Sequence, residues 1–354
     1  MALNQSKVKS FRRCQKQFSF RYDAAPGKEL VRKVPKLALS RGSWMHELQE
    51  AHHRKWAGLK GKKADWRSVH ERNTQKFNSY FEEDRAELGN LPDECLRLFR
   101  SYLRFWGTAE DEYNVATLHD GSPAIEFVVE VPLDRWGIKD PFKGRIDLLV
   151  EDLRYDGLWI WDSKWVRSIP NTDERMMSPQ ALLYAWALKK LGYDIRGFVY
   201  NYGRTKAPTV PRVLKRPAGT LSTAKRMDTD IYTYVRAIKE LHGDNWKHYA
   251  KTVYKTKIKE LRGREGLWFR RERMPVENSR IKRALAEFIV SSKDIERRSK
   301  KHPPRSYFYN CSHYCDYHQL CVTEFQGLDI TPLIKSFYEY VPERYHEEED
   351  LLIA

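Results

Sequence analysis

The sequence is organised around two short runs, Gly144-Arg-Ile-Asp-Leu-Leu-Val150 and Leu158-Trp-Ile-Trp-Asp-Ser-Lys164. Both runs are rich in β-branched and aromatic residues, and a polar stretch containing a glycine separates them, which is the pattern of a β-hairpin. A loop centred near Arg154-Tyr155 places Asp147 directly opposite Asp162. A tight turn at Asp156-Gly157 is the alternative, and it slides the two carboxylates several residues apart. We favour the longer loop, which puts both carboxylates at the open end of one hairpin.

The end of this hairpin carries residue types suited to phosphate chemistry. Asp162 and Lys164 lie two residues apart, so their side chains share one face of the sheet. Carboxylate oxygens are the ligands that Mg²⁺ and Mn²⁺ prefer, and a bound cation lowers the pKa of its water and stabilises charge on a phosphate. A lysine beside the attacked phosphorus adds a fixed positive charge or a proton shuttle. Taken alone, Asp-Ser-Lys fits a solvated ion pair at a strand end equally well. The choice between that pair and a catalytic site depends on the surrounding motifs.

Two further motifs flank the hairpin. Gln180-Ala-Leu-Leu-Tyr184 follows it, and its glutamine and tyrosine share one face of a predicted helix that begins at Ser178-Pro179. Gly42-Ser-Trp-Met-His46 precedes it. In this order, with the Gly-Arg-Ile-Asp and Asp-Ser-Lys runs, the chain resembles the PD-(D/E)XK nuclease superfamily of the RecB-like type. The resemblance implies an α/β fold in which a restriction-endonuclease-like mixed sheet is flanked by helices.

The resemblance also implies a metal site. Asp147 and Asp162 would bind Mg²⁺ or Mn²⁺, His46 would add an imidazole ligand, and the backbone carbonyl of Ser163 would complete the set. Related nucleases carry a supporting glutamate on the strand before the hairpin. In this chain, the alternation over 125–131 predicts that strand. Glu130 fits that spacing better than Glu126, although either can be a solvated strand residue.

The remaining roles fall on side chains beside the metal site. The resemblance implies that Lys164 stabilises the scissile phosphate and that Gln180 and Tyr184 hold the substrate. The ring of Tyr184 can also simply pack against Leu188. A strand predicted over 195–202 ends beside Arg204, which would lie at the same edge of the sheet.

Composition favours a polyanionic partner. The 354 residues include 64 Lys plus Arg against 48 Asp plus Glu, for a net charge of +16, and 13% of them are aromatic. Cations suit phosphates and rings suit unstacked bases, although many basic proteins bind no nucleic acid. The chain contains no run of 18 apolar residues and no signal-peptide stretch at its start, so we expect a cytoplasmic protein without membrane contact. It also contains no Gly-x4-Gly-Lys-Ser/Thr motif, so any helicase action would need a partner.

The chain is predicted to divide into six regions. They are an N-terminal helical arm (1–57), a helical region (58–120), the nuclease core (121–210), a basic helical region (211–304), a cysteine segment (305–330) and a tail (331–354). Residues 215–305 are predicted to be helical, with aromatic residues among many lysines and arginines. These cations form either a solvated outer face or a DNA-binding surface. We assign nucleic-acid binding to Arg204, Lys206, Arg270 and Arg271.

Three of the five cysteines form a second constellation. Cys311, Cys315 and Cys321 fall within eleven residues, and soft thiolates suit either zinc, with His313 or His318 as the fourth ligand, or an iron–sulfur cluster. The segment resembles that of CRISPR-associated, AddB and exonuclease V relatives, which implies a [4Fe–4S] cluster whose remaining ligand is Cys14 in a predicted helix over 6–22. Here glutamine follows Cys14 where relatives usually have proline. We expect this clasp to be structural, and Cys95 to be a buried apolar residue.

The expected reaction is metal-dependent hydrolysis of DNA phosphodiester bonds. The cluster-containing relatives are mostly exonucleases, so the resemblance favours an exonuclease of single-stranded DNA or frayed ends in DNA recombination, repair or replication. A structure-specific endonuclease and a non-catalytic DNA-binding subunit of a recombination or defence complex are the alternatives. A helicase or recombination protein is the expected protein partner.

Overall fold

A mixed β-sheet with helices on both faces forms the centre of the fold, which confirms the predicted α/β class. The computed structural model describes residues 2–34, 36–107, 112–170, 173, 176–206, 208–264, 267–307, 311–342 and 351–353. Part of the predicted tail, residues 343–350, lies outside the described residues. No helix within the described ranges combines the length and the apolar character needed to cross a membrane.

The strands are β1 Lys28–Arg32, β2 Tyr113–Val115, β3 Ile125–Val131, β4 Phe142–Asp152, β5 Leu158–Val166, β6 Ile195–Arg204, β7 Val213–Leu214, β8 Thr220–Leu221, β9 Phe269–Pro275, β10 Tyr338–Pro342 and β11 Leu351–Ile353. The helices are α1 Gln5–Arg13, α2 Gln15–Tyr22, α3 Leu37–Trp56, α4 Trp66–Asn78, α5 Glu82–Leu88, α6 Leu91–Trp106, α7 Pro179–Lys190, α8 Ile231–His242, α9 Trp246–Lys251, α10 Lys255–Arg262, α11 Asn278–Arg297, α12 Cys311–Tyr314, α13 His318–Phe325 and α14 Thr331–Phe337. The central sheet has the order β11-β3-β4-β5-β6-β9, with β2 beside β4, while β1 pairs with β10 in a separate sheet.

The β4–β5 hairpin has the longer loop. Leu148 pairs with Trp161 and Glu151 pairs with Leu158, so the register is centred near Arg154-Tyr155. One further step along this register places Asp147 opposite Asp162. The predicted register is therefore confirmed, and the two-residue turn is wrong.

The helices on either face bring the other motifs to the open end of the hairpin. Helix α7 connects the parallel strands β5 and β6 and buries its apolar face in the larger core, together with α1 and α11. Helix α3 covers the opposite face with α4 and α6, around Leu48, Phe99 and Tyr102. Because α3 carries His46 and α7 carries Gln180, the two flanking layers contribute side chains to one end of the sheet.

The N-terminal helix is interrupted at Cys14, where the sequence predicts a continuous helix. Cys14 is extended (φ −165°, ψ 115°) and ends α1 by donating its N–H to the Ser10 carbonyl. Its own carbonyl then accepts from the N–H of Phe18 at the start of α2. Because Phe11 and Phe18 pack edge to face across this break, the tertiary core outweighs the helical pattern.

The basic region is also less helical than predicted. Residues 269–275 form β9, which pairs with β6 at the edge of the sheet. This strand has three arginines and few apolar residues, and two of the arginines lie over rings: Arg271 over Trp106 and Trp161, and Arg273 over Tyr113. Long cationic side chains can cover apolar surface in this way, so the strand shows no apolar alternation in sequence.

Two adjacent histidines on α3 predict an acid-sensitive fold. Burial, with smaller effects from Arg271 and Lys55, lowers the pKa of His52 to about 4, and burial also lowers the pKa of His53. In the unfolded chain His52 binds a proton near pH 6.5, whereas in the folded chain it stays neutral until about pH 4. This contribution to the free energy of unfolding is complete above pH 6.5 and is lost as the pH drops toward 4, by up to about 3 kcal/mol.

We expect the melting temperature of the wild type to fall between about pH 7.5 and about pH 5 by clearly more than that of His52→Gln, because the variant lacks this protonation. Thermal melts followed by circular dichroism check the difference. Parallel losses in both proteins would contradict it.

Candidate active site

Asp147, on β4, lies at the centre of the candidate site. Its Oδ2 is buried and has no hydrogen-bond partner among the described residues, and it lies 3.5 Å from Nδ1 of His46 on α3. The backbone N–H of Ser163 donates to the same carboxylate. Burial raises the pKa of Asp147, and Asp162 raises it further, while His46 and Lys164 oppose the shift. A buried carboxylate oxygen without a donor is suited to binding a cation.

Asp162 and Lys164 form an ion pair at the end of β5. Nζ of Lys164 lies 2.8 Å from Oδ1 of Asp162. Burial opposes the charge on Lys164, but Asp162 and Asp147 outweigh it and raise the pKa of the lysine above its usual value. Lys164 is therefore an ammonium at neutral pH, and it faces both carboxylates.

Glu126 is the glutamate that the structure brings to this site. Ligand atoms of His46, Glu126 and Asp147 all lie within 4.8 Å of one another. Glu130, which the spacing favoured, instead forms an ion pair of 2.6 Å with Lys143. Glu126 lies opposite Asp147 because Ile125 pairs with Leu148 and Phe127 with Ile146, so strand pairing brings Glu126 rather than Glu130 to Asp147.

The backbone of Glu126 is strained. Its φ is +52°. Among the residues that the structure describes, it is the one non-glycine residue with a positive φ. Such a conformation costs of order 1–3 kcal/mol and is typical of functional sites. Burial, together with the charges of Asp147 and Glu50, raises the pKa of Glu126 to about 9. The fold thus crowds carboxylates whose repulsion a divalent cation would relieve.

Gln180 and Tyr184 act as a pair above β4. Nε2 of Gln180 donates to the hydroxyl of Tyr184 at 3.0 Å. A Cβ on Gly144 would lie 2.6 Å from Cε1 of Tyr184, so the tyrosine ring rests directly on the glycine. The glycine of the Gly-Arg-Ile-Asp motif is therefore required by close packing.

A buried polar network behind the site was missed from the sequence. The Oγ of Ser163 accepts hydrogen bonds from Nε1 of Trp161 at 3.1 Å and from Nδ2 of Asn201 at 3.2 Å. Asn201 also donates to the hydroxyl of Tyr102 at 3.0 Å. Tyr200, opposite Asp162 on β6, has its pKa raised to about 12 by burial and by Asp162. No sequence signal marks these residues, because polar residues of β6 become neighbours of the site only through strand pairing.

The four cations assigned to nucleic acid all have partners within the protein. Asp228 pairs with Arg204 at 3.2 Å and with Lys206 at 2.6 Å. Arg270 pairs with Glu272, and Arg271 contacts Asn201 and Tyr102. Their assignment to nucleic acid remains a prediction.

Four cysteines line a separate cavity of about 430 Å³: Cys14, Cys311, Cys315 and Cys321. Sγ of Cys14 accepts a hydrogen bond from the N–H of Ser306 at 3.5 Å. Burial raises the pKa of Cys315, and the neighbouring Cys14 and Cys311 add to the shift. Cys95 is buried elsewhere, in the core between α3 and α6, in agreement with its expected packing role.

The family model that describes the PD-(D/E)XK nuclease superfamily matches residues 2–322, nearly the whole chain. The chain belongs to the PD-(D/E)XK nuclease superfamily. No curated protein shows a significant match to it. Membership in the PD-(D/E)XK superfamily indicates a metal-dependent nuclease acting on DNA. The cluster of His46, Glu126 and Asp147 gives this PD-(D/E)XK chain donors that suit a metal ion.

Proposed function

We propose that this chain is a RecB-like Mg²⁺- or Mn²⁺-dependent deoxyribonuclease, an exonuclease acting on single-stranded DNA or frayed ends. The observation that carries the proposal is the unpartnered, buried Oδ2 of Asp147, with His46 and Glu126 close to it. The ammonium group of Lys164, beside Asp162, places a fixed positive charge next to these residues, which suits stabilisation of the charge on a phosphate.

Each residue then has a defined task. His46, Asp147 and Asp162, together with Glu126 and the Ser163 carbonyl, would hold the cation. When bound, the cation lowers the pKa of a water and offsets charge on the phosphate. Lys164 keeps its proton, because its pKa is raised, and presents its charge to the scissile phosphate. Gln180 and Tyr184, linked by their hydrogen bond, present an amide and a hydroxyl to the substrate.

The cysteine cavity supports the second cofactor, a [4Fe–4S] cluster bound by Cys14, Cys311, Cys315 and Cys321. Zinc with Zn–S bonds of about 2.3 Å needs sulfurs about 3.8 Å apart. Among the described residues, no three of the four sulfurs lie within 4.8 Å of one another. A cubane binds each cysteine through a different iron atom and so suits wider spacing. Four thiols around one cavity thus support the proposed cluster, with zinc as the alternative.

Degradation of end-labelled linear DNA by the anaerobically purified protein tests the proposal. We expect cleavage with Mg²⁺ or Mn²⁺, no cleavage in EDTA, and faster cleavage of single strands than of blunt duplexes. Lack of cleavage with either cation on all these substrates would remove the nuclease proposal and favour a non-catalytic DNA-binding subunit.

Circular substrates separate the two modes of cutting. We expect a closed single-stranded circle to resist the protein while the same DNA, linearised, is degraded. Equal rates on the circular and linear forms would replace the exonuclease proposal with an endonuclease.

Replacing Gly144 by alanine is expected to disturb the Gln180–Tyr184 pair. The new methyl group pushes the Tyr184 ring away, because no Cβ tolerates a contact of 2.6 Å. We expect kcat/KM for DNA cleavage to fall about 10- to 100-fold, since small displacements of positioning groups are costly. Gly263→Ala is the matched control, because its Cβ would meet its nearest neighbour at 3.4 Å. Equal kcat/KM values for Gly144→Ala and the wild type would contradict this packing role.

A further inference from the structure

A groove lined by five arginines lies outside the candidate active site. It has a volume of about 910 Å³ and runs between the start of α4, the outer face of α6 and helix α8. Its arginines, all exposed, are Arg67, Arg97, Arg100, Arg104 and Arg236. Two carboxylates, Asp93 and Glu94, also line it. The five arginines outnumber them, so the groove has a net positive charge.

The arginines of α6 form a regular row. Arg97, Arg100 and Arg104 are spaced by three and four residues, which places them on one helical face with neighbouring Cβ atoms about 5–6 Å apart. Like charges at this spacing destabilise a helix. The row therefore costs stability, and an anionic ligand would offset that cost.

The groove's own carboxylates neutralise this row only in part. Glu94 is engaged by Arg41 at 2.6 Å, and Asp93 accepts a hydrogen bond from Asn90 at 2.8 Å. Within the described part of the chain, neither Arg97 nor Arg100 forms an ion pair with any carboxylate. Asp93 keeps its charge one turn before Arg97, so the row of three arginines retains a net positive charge toward the groove.

The lining indicates which part of a nucleic acid would bind. Trp66 is the aromatic residue in it, and it is only 8% exposed, with Arg67 stacked over its ring at 4.5 Å. No ring is thus presented for a base to stack on, whereas five guanidinium groups suit phosphates. The groove chemistry matches a sugar–phosphate backbone, without base recognition.

One residue of the groove, Glu94, is joined by an ion pair to the helix that carries His46. Arg41, which pairs with the groove residue Glu94, lies five residues before His46 on α3, about 7.5 Å along the helix axis. We propose that the arginine groove binds the phosphate backbone of the DNA substrate outside the active site. The choice of DNA rests on the proposed function, whereas the anion-binding character rests on the groove alone.

Salt-dependent binding tests the groove. Fluorescence anisotropy of a labelled thymidine homopolymer of about 30 nucleotides is measured in EDTA, which stops cleavage but not backbone binding. Removing two phosphate contacts in Arg97→Gln/Arg100→Gln should lower the slope of log K against log salt by about 1.4, and the affinity about 25-fold near 0.1 M salt. The melting temperature should not fall, since a like-charge row is relieved.

Arg283→Gln/Arg297→Gln is the matched control. It removes the same charge from exposed positions on α11, away from the groove. Loss of affinity in the groove variant, with wild-type binding in the control, supports the proposal. Equal affinities in all three proteins, or equal losses in both variants, would overturn it. Because EDTA removes catalysis from the assay, this result is independent of whether the chain proves to be a nuclease.

Discussion

Asp162→Asn is expected to lower the rate of DNA cleavage by about 10³-fold or more, because the change removes a proposed metal ligand and the counter-charge of Lys164. The amide keeps the size of the carboxylate, so the loss reports charge and not packing. Single-turnover cleavage of end-labelled single-stranded DNA at saturating Mg²⁺ measures it. A Mn²⁺ titration should also show a higher half-saturating metal concentration in the variant.

The hairpin loop offers a matched control. Asp156 is an exposed aspartate of the same hairpin, and Asp156→Asn should cleave like the wild type. Lys164→Gln should lose cleavage while still binding Mn²⁺, since the lysine is proposed to act on the phosphate. Wild-type rates in Asp162→Asn and Lys164→Gln would remove this site from the reaction.

Cys14→Ser should reduce the bound iron and lower the melting temperature by on the order of 5–10 °C, because a cluster joining α1–α2 to α12–α13 stabilises only the folded chain. Iron analysis, visible absorption and thermal melts of the anaerobically purified protein measure the change. In the wild type, we expect a brown protein with about four irons per chain.

The buried Cys95 provides the comparison. Cys95→Ala should keep the full iron content and lose only packing, because the thiol lies in the core formed by α3, α4 and α6. Zinc in place of iron in the wild type would contradict the cluster. Wild-type iron content in Cys14→Ser would exclude the N-terminal ligand.

The sequence predicted those parts of the fold whose patterns are local. The hairpin register followed from two β-branched runs of matching length, and Ile125–Val131 has the bounds that its alternation suggested. Asp147 and Asp162 were placed correctly relative to one another for the same reason. When the hydrophobic pattern and the site residue lie in the same element, the sequence is sufficient to place that residue.

The errors concern side chains whose positions depend on distant elements. Glu130 was favoured over Glu126, because the pairing with β4 that places Glu126 opposite Asp147 and Glu130 opposite Lys143 cannot be read from spacing. The strand β9 was read as helix, since its arginines cover rings contributed by α6 and β5. The arginine groove needs α4, α6 and α8 together, so it has no signature in any single stretch.

The pairing of β1 with β10 has a consequence for biosynthesis. Lys28 lies beside Pro342, and Arg32 beside Tyr338, so the first strand to leave the ribosome pairs with one made about three hundred residues later. At roughly 5–20 residues per second, β1 waits for tens of seconds with its edge unpaired. During that interval the nascent chain exposes an unpaired strand edge to other molecules until β10 emerges.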